Sequence, residues 1–171
     1  MIDLALEGHL PPTAEQVAER AGVSQASLFR YFDNLDELRQ ATVRRYFERY
    51  AHLFEIPDIG VGALDERIGR FVDARLALYE TTEPMARLAR DRVAVTAFGA
   101  GLHQGRALLS GQVRTHFAAE LDPLAPTQRD DLVAVVSTLT SFESWAQLRD
   151  EHDRRGDDAR RTWVEALRTL L

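Results

Sequence analysis

Residues 13–32, TAEQVAERAGVSQASLFRYF, hold two helix starts and one helix stop in a single short stretch. Thr13 is a good N-cap, and Gln16 stands three residues on, the spacing of a capping box. Ala14, Val17, Ala18 and Ala21 follow the i, i+3, i+4, i+7 pattern of one buried stripe. Gly22 then predicts a left-handed stop, which glycine adopts without steric cost. Ser24 caps a further helix carrying Leu28, Phe29 and Phe32. Two helices this short, joined this tightly, bury their stripes by crossing closely. Ala18 must be small at the crossing, Gly22 must take the turn, and Leu28 must plug the space between. Gln25, Ser27 and Arg30 are left largely off the core face.

The remaining segments also read as helix, with no hairpin signal between alternating strands. A short helix over Ile2–Glu7 ends at Gly8, before Pro11 and Pro12. Asp33–Asn34 break the third helix, and Asp36–Glu37 place negative charge at the start of a fourth. Val43, Tyr46, Phe47, Tyr50 and Phe54 give that helix one aromatic stripe. Pro57, Gly60 and Gly62 mark a boundary, so residues 1–54 and 55–171 are expected to form two subregions. Beyond it the pattern predicts helices over about 64–80, from a first turn opened by Pro84, and over about 98–120. After Pro123 and Pro126, one capped by Thr127 is expected to run to about Glu151, and a last one to reach Leu171.

Composition narrows the function. With 171 residues and 45% apolar content, the chain can bury one large core or two small ones. It has no cysteine, which removes disulfides, thiol nucleophiles and Cys-ligated metals. No run approaches about 18 apolar residues, and the opening MIDLALEGHLPP lacks a basic n-region, so a cytoplasmic protein is expected. The histidines at 9, 52, 103, 116 and 152 form no metal-ligand spacing. No nucleophile–base pair or carboxylate dyad stands out. Catalysis, a metal and a cofactor are therefore not expected. The net charge of −6 argues against a general nucleic-acid coat, but not against a binder with a small local positive surface. All 21 basic residues are arginine.

The segment Ile2–Phe54 resembles the N-terminal domain of the TetR family of transcriptional repressors. The resemblance rests on VAERAGVS (17–24), SLFRYF (27–32) and the start of the fourth helix at Asp36–Leu38. LTSFESWAQLR (139–149), followed by a capped last helix, is also similar to some regulators of this family. The resemblance implies an all-α chain. Three helices form the helix-turn-helix DNA-binding domain, and a C-terminal helical domain binds ligand and dimerises. It implies a homodimer on a near-palindromic duplex operator, released when a small effector moves helix four like a lever. Gln25, Ala26 and Ser27 take the base-reading positions, Thr13, Phe29 and Tyr31 the backbone-contacting ones, and Arg30 lies in the same helix. Phe29 stands where Tyr is usual, and Leu35 where Lys is usual.

The same resemblance makes some of Phe71, Tyr79, Met85, Phe98, Leu102, Phe142 and Trp145 the lining of an effector pocket. Arg75 and His103 are its polar anchors. The effector is then apolar or aromatic. Leu132, Val135, Val136, Leu139 and Phe142, with Trp163, Val164, Leu167, Leu170 and Leu171, make two apolar helix faces. Those helices, about 127–151 and 157–171, are the expected dimer interface. The rival reading is a protein of this fold that binds ligand with weak or lost DNA binding. An acidic balance over residues 1–50 and the missing Lys motivate it.

Overall fold

The computed structural model describes residues 1–9, 12–88 and 95–171, with the side chains of 6, 88 and 95–101 left aside. The described residues are helical, with no strand among them. In order they form α1 (Ile2–Leu6), α2 (Ala14–Ala21), α3 (Gln25–Leu28) and α4 (Leu35–Arg49), then a 3-10 turn (Ala51–Phe54). There follow α5 (Leu64–Leu88), α6 (Val95–His116), α7 (Ala118–Leu121), α8 (Pro126–Leu139), α9 (Phe142–Asp150) and α10 (Asp157–Leu170). The chain divides into two compact units. One comprises Met1–His52 and Thr82–Gln104, the other Leu53–Thr81 and Gly105–Leu171.

In the first unit, Leu4, Val17, Ala18, Leu28 and Leu38 form a buried cluster, with Met1, Ala14, Phe32 and Leu35 packed against it. One residue from α1, two from α2, one from α3 and one from α4 thus share a core. Ion pairs bracket it: Asp3 Oδ1 accepts from Arg49 Nη1 at 2.5 Å, and Glu7 pairs with Arg20. These guanidiniums hold both carboxyls below the usual carboxylate range.

In the second unit, Ile68, Phe71, Val72, Phe117, Leu121, Val136, Trp163 and Leu167 are fully or almost fully buried. Arg67 sits among them. Its Nη1 donates to the His116 carbonyl at 2.9 Å and to Glu120 Oε2 at 2.8 Å, and its Nε to the Gly62 carbonyl at 3.1 Å. This clamp explains where the expected helix over 98–120 divides. With the His116 carbonyl taken by Arg67, the Glu120 amide turns to the Phe117 carbonyl, and α7 starts as a separate turn.

Two further expectations need correction. Pro84 does not open a helix, because α5 runs through it to Leu88. The missing N–H weakens one turn, and the buried Thr82 and Met85 on either side hold the helix together. The single helix expected up to Glu151 is two, α8 and α9. Thr140 ends α8, donating its hydroxyl to the Val136 carbonyl at 2.7 Å, and Ser141 caps α9 by accepting from the Ser144 amide. Thr127 is not the cap of α8: Pro126 is its first residue, and the preceding Ala125 amide donates to Gln128. At the other end of the first unit's long helix, α4 stops at Arg49 and leaves Phe54 in the 3-10 turn.

His116 is wholly buried, and its partners fix its tautomer. Nε2–H donates to the Arg67 carbonyl at 2.8 Å, and Nδ1 accepts from the Gly60 amide at 3.1 Å. Burial lowers its pKa below 6.5, so the folded chain holds it neutral. As pH falls below 6.5 the unfolded chain takes up a proton that the folded one refuses, and stability drops. Thermal unfolding at pH 5.5 should therefore occur below that at pH 7.5. His116→Gln should be less stable at both but lose much of the difference. An equal pH dependence in the variant would clear His116 of the effect.

Candidate nucleic-acid interface

The helix-turn-helix is assembled by local hydrogen bonds. The Thr13 hydroxyl accepts from the Gln16 amide at 3.2 Å, and Gln16 Oε1 accepts from the Thr13 amide at 2.9 Å, closing the expected capping box. Gly22 ends α2 at φ 67° and ψ 29°, the left-handed region, and the Val23 amide returns to the Ala18 carbonyl at 3.0 Å. The Ser24 hydroxyl accepts from the Ser27 amide at 3.1 Å. Leu28 then drops into the cluster with Val17 and Ala18. Asn34 caps α4 by accepting from the Glu37 amide, and Glu37 accepts in return from the Asp33 amide.

This packing decides what α3 presents. Gln25 and Ala26 are exposed on its first turn, and Ser27 is half-buried. α3 is one turn long and tightens after Leu28, where the Arg30 and Tyr31 amides reach back three residues. That turn leaves Phe29 41% and Tyr31 73% exposed, with Arg30 over the Tyr31 ring at 5.6 Å. Arg30 and Arg44 make no ion pair among the described residues, whereas Arg20, Arg39, Arg45 and Arg49 do. Leu35 is packed on the core, which gives its apolar side chain a structural use at the position where Lys is usual.

The residues expected around an effector fall into two groups. Phe71, Arg75, Tyr79, Phe142 and Trp145 lie buried in the second unit and are linked in a chain. Arg75 lies over the Phe71 ring at 4.5 Å. The Tyr79 ring is 5.8 Å from Phe142 and 6.1 Å from Trp145. The Tyr79 hydroxyl donates to the Thr140 carbonyl at 2.8 Å, so the break between α8 and α9 is what it reads. Leu102 and His103 belong to the first unit, where Leu102 is half-buried and His103 exposed. The Phe98 side chain lies outside the described residues.

Sequence reasoning missed Gln112 and the role of Trp163. Gln112 Oε1 accepts from Arg75 while its amide nitrogen donates to the Phe54 carbonyl. Trp163, read as part of a dimer face, is wholly buried beside Tyr79. The i, i+4 spacing of Phe71, Arg75 and Tyr79 on one helix was the available signal for Arg75. None exists for a glutamine reached across two helices. Among the described residues no group of three or more His, Asp or Glu is placed to hold a metal ion, and no helix is long and apolar enough to cross a membrane.

Residues 7–42 match the family model of bacterial regulatory proteins, tetR family. No curated protein and no solved structure matches the chain. The matched span runs from the end of α1 through α2 and α3 into α4, the elements whose caps and shared core have just been described. Through that segment the chain is similar to the helix-turn-helix region of bacterial regulatory proteins of the tetR family.

Proposed function

We propose that the chain is a homodimeric repressor that reads a near-palindromic operator in the cytoplasm and is released by a small effector. The observation that carries the DNA-reading part is the exposure of Gln25 and Ala26 beside the buried Leu28. The core holds α3 while its first turn stays free for base edges. Thr13, Phe29, Arg30 and Tyr31 would seat the helix on phosphates, with Ser27 sharing the reading face. The effector would be received by the aromatic cluster of the second unit and would favour the DNA-incompetent state. Selection from random duplex DNA at moderate salt tests the reading: a palindromic consensus supports it, and no enrichment from a folded dimer removes it. With a site in hand, Gln25→Ala should cost about 1–3 kcal/mol at one base position. An even loss over all operator variants would mean that Gln25 does not read a base.

For the dimer we propose α8 and α10. Val136, Phe142, Trp163, Val164 and Leu167 are buried within one chain, which leaves Val135, 48% exposed, and Leu170, 38% exposed. Leu132 and Leu139 are half-buried. A charge placed there is desolvated only if the face is an interface. Val135→Glu should therefore weaken self-association about tenfold or more by sedimentation while leaving the melting of the isolated subunit nearly unchanged. An unaltered dimer would move the interface elsewhere.

One observation favours the rival reading, a ligand-binding protein of weak DNA affinity. Four of the six arginines in residues 1–50 are already paired with carboxylates of the same segment. Few cations then remain to displace counterions, so binding should vary only shallowly with salt. The same selection separates the readings.

A further inference from the structure

Arg75 is 2% exposed in the second unit, and no carboxylate pairs with it among the described residues. Both of its hydrogen bonds go to neutral oxygens, Gln112 Oε1 at 2.7 Å and the Leu109 carbonyl at 2.9 Å. Around it lie the Phe71 ring beneath it, Tyr79 one turn along α5, and the neutral His116 stacked on Phe71. This differs from Arg67 on the same helix, which is buried against Glu120. Burial alone pulls the Arg75 pKa down to about 10. A guanidinium in that setting loses its hydration and gains no counter-charge, and an apolar residue would fill the space at less cost. Strongly perturbed, unpaired charges of this kind concentrate at functional sites.

A second donor in the cluster is also unsatisfied. The Trp163 indole Nε1 is buried with no hydrogen-bond acceptor among the described residues, and its ring lies 6.3 Å from Tyr79. Indole N–H can only donate, as can guanidinium. The cluster is thus short of acceptors and of negative charge, and both shortages are met by one kind of group. Gln112 adds orientation. Its amide nitrogen is held by the Phe54 carbonyl, so its oxygen keeps the guanidinium in place rather than following a ligand.

We propose that the effector is an amphipathic organic acid whose carboxylate seats on Arg75 and whose apolar body packs among Tyr79, Phe142 and Trp145. This rests on the reading that the second unit receives an effector, and it adds the chemical class. The carboxylate would complete a planar, charge-assisted pairing in a water-poor setting, where such bonds are strongest. A neutral amide of equal shape offers the same body without the charge.

Both tryptophans of the chain, Trp145 and Trp163, lie in this cluster and serve as reporters. Tryptophan emission of the full chain is titrated with phenylacetate, phenylpropanoate and phenylbutyrate, each beside its neutral amide. At least one acid should bind about tenfold or more tighter than its amide. Arg75→Met should erase that preference while leaving amide binding in place, and Arg75→Lys should restore part of it. If Arg75→Met does not fold, the acid-to-amide ratio in the natural chain and in Arg75→Lys still decides. Equal binding of acids and amides, a preference that survives Arg75→Met, or no binding by any of the acids overturns the proposal. Release of the selected operator is scored separately with the same compounds. Release by amides and acids alike leaves the regulator intact and removes the anion site. Acid binding without release leaves the site and removes the effector-release reading.

Discussion

Arg67→Met should lower the unfolding free energy of the second unit by about 3–5 kcal/mol, the usual cost of removing one partner of a buried ion pair. The side chains of Arg67 and Glu120 are only 6% and 16% exposed, so solvent cannot replace what is lost. Three groups lose a donor at once: the Glu120 carboxylate and the carbonyls of His116 and Gly62. Arg67 also holds the Glu120 carboxyl below its ordinary pKa, so the carboxyl should shift upward in the variant. Pairing the change with Glu120→Leu should recover a large part of the loss, since no charge is then stranded. Chemical denaturation followed by tryptophan emission measures both. A loss under about 1 kcal/mol would show that the pair behaves like a surface salt bridge.

Leu28→Ala should cost about 2–5 kcal/mol, and all of it should fall on the first unit. Leu28 is what α3 contributes to the buried cluster among the described residues, so it supplies the apolar tie between that one-turn helix and α2. Operator binding should disappear although Gln25, Ala26 and Ser27 are unchanged. Both tryptophans lie in the second unit, so their unfolding transition should move little while the helical signal by circular dichroism starts to fall at lower temperature. A variant that binds the operator within twofold of the natural chain would show that α3 is held by something other than this plug.

The contrast between these two residues explains what the sequence made legible. Leu28, Gly22, Thr13 and Ser24 act within a few residues of themselves, so caps, turn and plug are written in their spacing. Arg67 acts over a gap of 49 residues to His116 and 53 to Glu120, and nothing in the local pattern announces it. The division between α6 and α7 follows from that clamp, as the division between α8 and α9 goes with the Tyr79 hydroxyl on the Thr140 carbonyl. Pro84 misled for the complementary reason: its local preference for a helix start lost to the burial of Thr82 and Met85. At the candidate site the same division holds. The exposure of Gln25 and Arg30 was readable from local spacing, which overstated that of the half-buried Ser27, whereas the neutral shell around Arg75 depends on Gln112 and Phe54, which reach it from elsewhere in the chain.

The absence of lysine has a consequence for how this molecule meets alkali. Every ion pair among the described residues joins a carboxylate to a guanidinium. Guanidiniums keep their proton to above about pH 12, where ammonium groups have long since lost theirs. The paired network is therefore vulnerable from the acid side alone, through its carboxylates. Arg75, buried without a carboxylate among the described residues, runs the opposite way. Burial lowers its pKa, so the unfolded chain holds that proton more tightly than the folded one, and at that residue a rise in pH favours the fold.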